Sequence, residues 1–157
     1  TYFRGTPNGD LLIGGTEPEC DPLQWLDDPD AYNPRPTKDV FEAQVMRAAR
    51  RVPSLEVPNA PRGIAGVYDV SDDWIPIYDK TGLGGYYVAI GTSGNQFKNA
   101  PIVGDLLAAI ITACEKGHDH DTDPVRMTLP RTGHEIDLSH YSRKRHINPE
   151  SSFSVMG

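Results

Sequence analysis

The sequence predicts an α/β chain of mixed α+β type, because helix and strand patterns alternate along it. Residues 2–15 carry two short strand patterns around a turn, residues 38–51 have helical periodicity, and residues 86–114 combine a strand, a glycine-containing turn and an apolar helix. With 157 residues and 38% hydrophobic content, the chain is long enough for one domain with its own core, or for parts of two domains of a longer protein.

The first predicted element is a hairpin. Asn8-Gly9 occupies the tight-turn position between the two strand patterns, where positive backbone angles are favoured. Thr1 lies almost inside the first strand pattern, so we expect a longer polypeptide to continue upstream. Residues 16–36 are rich in Pro, Asp and Glu and have no periodicity, which predicts a loop.

The second predicted element is a helix over residues 38–51. Thr37 is a suitable N-cap, Asp39 suits the positive first turn, and Pro53 stops the chain from continuing as a helix. A single apolar stripe runs along the helix, formed by Val40, Phe41, Val45, Met46 and Ala49.

Two strand patterns follow this helix. Residues 64–70 alternate between apolar and polar side chains, residues 71–73 have turn composition, and residues 75–78 form a second short strand pattern. Because proline cannot donate to a ladder, Pro76 predicts that this strand is bent or lies at a sheet edge.

The turn from Gly91 to Pro101 is the most informative candidate for a binding site. Gly91 and Gly94 allow backbone angles or close approaches that a side chain would forbid, and Pro101 fits the first turn of the following helix. A helix start favours a phosphate, a carboxylate or a delocalised negative ring, and Lys98 adds a full positive charge. The alternative interpretation is a plain connection between a strand and a helix.

Composition bounds the function classes. The net charge of -7 and the pI near 5.1 disfavour nucleic acid and anionic membranes as partners. An acidic chain of this kind can still contain a local cationic pocket. The longest apolar run, residues 102–114, is interrupted by Asp105 and is too short to span a bilayer. Cys20 and Cys114 lie in very different contexts, so no disulfide framework is expected. The sequence therefore predicts a soluble, cytoplasmic protein.

The polar region after residue 117 offers a metal site as a weaker alternative. His118 and His120 alternate with aspartates, and imidazole and carboxylate together suit zinc, but no third well-placed ligand is evident. We therefore predict no metal and interpret this region as a solvated loop. The tail is expected to pack weakly unless Tyr141 and Phe153 find a surface. The chain has no Ser/His/Asp arrangement and no phosphate-binding motif of the G-x-G-x-x-G or G-x-x-x-x-G-K-[ST] type.

The order and spacing of several motifs carry a family resemblance. They are Gly66-Val67-Tyr68-Asp69, the Ser71-Asp72-Asp73 turn with Pro76-Ile77, Gly85-Tyr86-Tyr87-Val88-Ala89, Gly91-Thr92-Ser93-Gly94, Phe97-Lys98 and Ala100-Pro101. Together they resemble the C-terminal part of the D-amino-acid oxidase superfamily of FAD enzymes, nearest to sarcosine oxidase, glycine oxidase and dimethylglycine dehydrogenase. The resemblance covers roughly residues 2–117.

The resemblance implies how the chain is organised. Residues 1–58 would be the last elements of an antiparallel-sheet substrate domain, and residues 59–117 the C-terminal part of a Rossmann-like FAD-binding domain. Residues 118–157 would be a polar C-terminal extension. The chain would then be part of a longer oxidoreductase that transfers hydride from an amino acid or a secondary or tertiary amine to flavin, and it would be inactive alone.

The resemblance also implies site residues. The cofactor-binding turn would comprise Gly91, Thr92, Ser93, Gly94, Asn95, Gln96, Phe97 and Lys98. Lys98 would lie near the flavin edge or the substrate carboxylate, and Tyr68 would face the site; both are predicted to be catalytic. Asn95-Gln96 replaces a His-Gly that many relatives carry. Gly66 stands in place of a flavin-linking cysteine, so FAD is expected to bind non-covalently.

A second function class stays open beside the enzyme. The same turn could hold a small anion in a non-catalytic binding module, or an apolar face could bury against another subunit. The expected partners are a small amine or amino-acid substrate and a homo-oligomer formed through exposed apolar surface, with neither nucleic acid nor membrane.

Overall fold

The computed structural model describes residues 1–15 and 23–155. Contacts within the chain separate two units, with the division between Val67 and Tyr68. Part of the predicted loop, including Cys20, lies outside the described residues, and Cys114 is a free thiol.

The first unit begins with the predicted hairpin, which is confirmed. Strands β1 (Tyr2–Gly5) and β2 (Leu11–Gly14) pair antiparallel, with Tyr2 opposite Gly14 and Gly5 opposite Leu11. Gly9 has a φ of +85°, the left-handed conformation for which Asn-Gly turns are selected.

The predicted helix of the first unit is also present, as α1 (Lys38–Ala49), after a short 3₁₀ turn at Pro29–Ala31. Thr37 occupies the N-cap position, but its side chain makes no capping hydrogen bond. The apolar face is narrower than the sequence stripe suggests, because Val45 and Ala48 are buried whereas Val40 and Met46 are exposed.

The second unit contains the remaining strands and the longer helix. Strands β3 (Ile77–Lys80) and β4 (Tyr87–Ile90) form an antiparallel hairpin, and β5 (Arg126–Thr128) pairs antiparallel with β6 (Glu135–Asp137). Helix α2 (Ala100–Glu115) follows a 3₁₀ turn at Gln96–Asn99, and a further 3₁₀ turn spans Leu138–Tyr141. The buried core consists of Tyr78, Leu106, Ile110 and Leu138.

The strand predicted over residues 64–70 is not formed, and β3 starts two residues later than predicted. Ile64 and Val67 are exposed, and no strand of the described chain pairs with this segment. Its apolar side chains therefore have no surface to pack against as a strand. All strand pairs among the described residues are antiparallel and two-stranded. The structure is thus a mixture of helices and small antiparallel sheets, consistent with α/β, and the Rossmann-like assignment stays a prediction.

The region after residue 117 packs more tightly than the sequence suggests. Leu138 is fully buried in the core, and the Tyr141 ring lies 5.0 Å from the Tyr78 ring, centroid to centroid. The domain boundaries predicted after residues 58 and 117 stay predictions. Residues 118–155 are mostly polar, but their few apolar side chains pack together against α2. The composition of this region does not reveal such packing.

One helical segment is relevant to the expectation that the chain does not enter a membrane. Gln96–Glu115 is continuous over 20 residues and is apolar and long enough to cross a bilayer by length and composition alone. A single such helix is weak evidence, and in this fold its Leu106 and Ile110 pack against Tyr78 and Leu138. The absence of a membrane partner stays a prediction.

Candidate functional site

Residues 91–99, here called the bend, connect β4 to α2 and contain the predicted site. Three of its residues have positive φ: Gly91 at +66°, Ser93 at +48° and Gly94 at +77°. Ser93 is fully buried, although a non-glycine residue rarely adopts this conformation. The surrounding structure must therefore hold the first half of the bend in place.

Asp69 supplies that restraint. Its carboxylate accepts hydrogen bonds from the Gly91 N–H and from the Thr92 hydroxyl at 2.7 Å, and its backbone carbonyl accepts from the Ser93 N–H at 2.8 Å. Asp69 is exposed overall, and partial desolvation by its neighbours opposes its ionisation. The hydrogen bonds from Thr92 and Gly91 outweigh this and lower the pKa of the carboxyl below its usual value. Two of the N–H groups predicted to face a ligand are thus already used by the protein itself.

The two glycines of the bend are also required by internal packing. A Cβ at Gly91 would lie 3.1 Å from the Ser71 Cβ. A Cβ at Gly94 would lie 3.1 Å from a Val155 methyl and 3.4 Å from the Tyr68 ring. Both positions combine positive φ with close neighbours, so the glycines are explained by the fold, and their contact with a cofactor stays a prediction.

The second half of the bend is tied to the core strand β3. The buried Tyr78 hydroxyl donates to Gln96 Oε1 at 2.6 Å, and Asn99 Nδ2 donates to the same oxygen at 2.9 Å. The Gln96 amide in turn donates to Asn95 Oδ1. Burial, with the nearby Tyr141, raises the pKa of Tyr78 to about 12, so this hydroxyl stays a donor at neutral pH. These side chains line a cavity of about 250 Å³.

Phe97 and Lys98 point outward from the bend. Phe97 is 98% exposed, which is unusual for an aromatic side chain, and Lys98 is also exposed. Among the described residues, none forms a hydrogen bond or an ion pair with the Lys98 ammonium. Asn99, the N-cap residue of α2, makes no side-chain capping bond. The positive end of α2, the ammonium and the apolar ring together fit a planar group that carries negative charge.

Tyr68 lies beside the bend, as its predicted role requires. A Cβ added at Gly94 would lie 3.4 Å from its ring. The ring also packs edge-to-face against Trp74, with 6.4 Å between the two ring centroids. Burial raises the pKa of its hydroxyl. The structure therefore brings Tyr68 and the bend together, and the contact of Tyr68 with a substrate stays a prediction.

A larger cavity of about 440 Å³ lies away from the bend, around the turn between β3 and β4. It is lined by Lys80, Tyr87, Cys114, Glu115, Asp119 and the glycine-rich turn residues. Lys80 there is already paired with Asp119 at 2.9 Å, and Tyr87 donates to Glu115. Since the lysine of this cavity is already paired, we favour the bend, whose Lys98 has no partner among the described residues, in spite of the larger cavity volume.

The region of His118 and His120 does not assemble a metal site in the part of the chain that the structure describes, where no group of three ligating side chains occurs. His118 Nε2 bonds to the Asp123 carbonyl at 2.6 Å. The solvated-loop interpretation is wrong for His120, which is buried: its Nδ1 accepts from the Val125 N–H at 2.9 Å, and its Nε2 lies 3.5 Å from Asp79 without a hydrogen bond.

The burial of His120 predicts a dependence of stability on pH. Burial lowers the pKa of His120, with Asp79 and Asp121 opposing this and Lys80 and His118 adding to it. Below about pH 6.5 the unfolded chain takes up a proton that the folded chain resists, so stability should fall by at most about 1.4 kcal/mol per pH unit from this group. Stability is unaffected by this group above that pH.

Hydrogen-exchange protection of β3 in the complete protein, compared at pH 7 and pH 5.5, measures this effect. His120→Gln should lose this part of the pH dependence, whereas His118→Gln, at a more exposed position, should keep it. Equal pH dependence in His120→Gln and the wild type would contradict the assignment to His120.

Sequence comparisons identify relatives of this chain. The family described as FAD dependent oxidoreductase (DAO) matches residues 1–110. FAD-dependent oxidoreductase domain-containing protein 1 of Bos taurus is 30% identical over 118 residues, which cover 70% of this chain and 22% of that protein. Sarcosine oxidase subunit beta of Arthrobacter sp is 30% identical over 136 residues, which cover 87% of this chain and 31% of that protein.

The chain spans less than a third of the length of these two curated relatives. No solved structure matches it. The family match extends from the first hairpin through the bend and into α2, over 110 of the 157 residues. The chain therefore belongs to the DAO family of FAD-dependent oxidoreductases.

Proposed function

We propose that this chain forms the part of an FAD-dependent amine or amino-acid oxidoreductase in which the bend lies against the flavin ring. The observation that carries the proposal is the outward presentation of Phe97 and Lys98 at the start of α2. The similarity to a sarcosine oxidase subunit over 87% of this chain supports a small secondary or tertiary amine as the substrate class.

The groups of the bend that have no partner among the described residues fit this cofactor. When bound, FAD would supply a hydride acceptor for the carbon beside the amine nitrogen and a ring edge that gains negative charge on reduction. The Lys98 ammonium and the start of the continuous helical segment Gln96–Glu115, which has no side-chain cap, would stabilise that charge. The exposed Phe97 ring offers an apolar surface beside it. Tyr68, next to Gly94, would border the substrate side.

Further features of the proposal follow from the chain's length and composition. Because the chain spans 22% and 31% of two relatives, we propose that the complete flavin site also uses sequence outside this chain and that the chain alone is inactive. Gly66 supplies no thiol, so FAD would be held without a covalent bond at that position. A cytoplasmic location and a homo-oligomer stay predictions.

The absorption spectrum of the complete protein tests this function. We expect flavin bands that bleach when an N-methyl amino acid is added in the absence of oxygen, and we expect the flavin to separate from the protein on denaturation. The matched control is an amino acid whose carbon next to the amine nitrogen carries no hydrogen, such as 2-aminoisobutyrate. It cannot donate a hydride and should leave the bands unchanged. A purified complete protein without flavin bands would contradict the proposal and favour the non-catalytic binding module.

A further inference from the structure

We propose that Asp69 is a positioning residue that fixes the shape of the bend and, through its negative charge, lowers the reduction potential of the flavin. This inference rests on the proposed function.

The contacts of Asp69 concentrate on three consecutive residues. Gly91, Thr92 and Ser93 each donate one hydrogen bond to it, two of them to the carboxylate and one to the backbone carbonyl. Ser93, with φ at +48°, adds a bond from its hydroxyl to the Gly91 carbonyl at 3.2 Å. A strained conformation of this kind persists only where its surroundings over-determine it. Asp69 accepts three of the hydrogen bonds that hold this one.

The charge of Asp69 is balanced by dipoles alone within the described chain. No lysine or arginine of residues 1–15 or 23–155 forms an ion pair with it, whereas Asp73, four residues on, is paired with Arg145 at 2.6 Å. A full negative charge therefore sits behind a bend whose outer side carries Lys98. Negative charge near a ring that becomes anionic on reduction disfavours the reduced form.

The direction and size of the expected change follow. Asp69→Asn keeps an acceptor oxygen for the Gly91 N–H, and its amide nitrogen can donate to the Thr92 hydroxyl. The charge is removed, so the flavin potential should rise. Since Asp69 is exposed in this chain, solvent screens its charge and the effect is modest. We expect about a tenfold gain in the equilibrium constant for two-electron reduction, which corresponds to about 30 mV.

The test measures the potential of the complete, flavin-loaded protein by equilibration with a reference dye. Asp72→Asn is the matched control, because this exposed carboxylate lies in the same segment and shares none of the Asp69 contacts with the bend. A rise in Asp69→Asn with an unchanged Asp72→Asn supports the inference. Equal potentials in Asp69→Asn and the wild type overturn it.

Two further measurements keep the inference testable if Asp69→Asn fails to hold flavin. Thr92→Val keeps the charge and removes one donor, so the carboxylate is less compensated and the potential should fall; an equal or higher potential overturns the inference. Hydrogen exchange at residues 91–93 should accelerate in Asp69→Ala, and unchanged exchange would overturn the positioning role. A wild-type protein that binds no flavin overturns the proposed function itself, which separates the two failures.

Discussion

Asp73→Ala is expected to lower the free energy of opening of the second unit by about 3–5 kcal/mol. Asp73 is 1% exposed, and its carboxylate accepts from Arg145 Nη2 at 2.6 Å and from Arg145 Nε at 3.0 Å. The Ile75 and Asn148 N–H groups donate to it as well. Removal of the carboxylate leaves a largely buried guanidinium without its counter-charge, which costs more than the pair itself contributes.

The same contacts fix the pH range of this stabilisation. The hydrogen bonds from Arg145, opposed by burial, hold the pKa of Asp73 far below its ordinary value. The contribution is therefore complete above the unfolded-state pKa of about 3.9 and is lost as the pH falls further. At neutral pH the variant should show its full effect.

Hydrogen exchange of β3 and of residues 138–151 in the complete protein measures the change. Arg126→Ala is the matched control, because its pair with Asp137 at 3.4 Å is exposed and should be worth less than about 1 kcal/mol. The double variant Asp73→Ala with Arg145→Met should recover part of the loss, since no charge then stays unpaired. A loss below 1 kcal/mol in Asp73→Ala would show that the ion pair does not hold this segment.

The elements that the sequence predicts well are those specified by neighbouring residues. Asn8-Gly9 sets a turn through its own backbone preference, and the spacing of Leu106 and Ile110 defines one face of α2. The bend was located because Gly91 and Gly94 stand where positive φ is needed. In each case the residues of the element itself were enough to predict its structure.

The features that the sequence did not predict depend on residues distant in the chain. Asp69 meets the bend across 22 residues, and Arg145 meets Asp73 across 72. His120 looked solvated because its neighbours are aspartates, yet β3 buries it. The local signals for Asp69 were its polar character in an alternating segment and its place in the motif Gly66-Val67-Tyr68-Asp69. Such partners become visible only when the fold brings them together.

Lys98→Ala should slow the reduction of flavin in the complete protein about 10²-fold, the cost of one preorganised donor or charge at a developing anion. The ammonium is exposed beside the start of α2, and no described residue neutralises it, so its charge is available to the ring edge. Lys98→Arg should recover much of the rate because it keeps the charge. The rate is measured by anaerobic stopped-flow absorbance with an N-methyl amino acid.

Lys116→Ala provides the control for that measurement, because Lys116 is an exposed cation at the opposite end of the same helix. Its removal changes the net charge by the same amount as Lys98→Ala but at the negative end of α2, so the rate should stay at the wild-type value. Equal rates in Lys98→Ala and Lys116→Ala would assign Lys98 to the surface. A slow Lys98→Ala with an unchanged flavin content would instead show that its charge acts on the transition state.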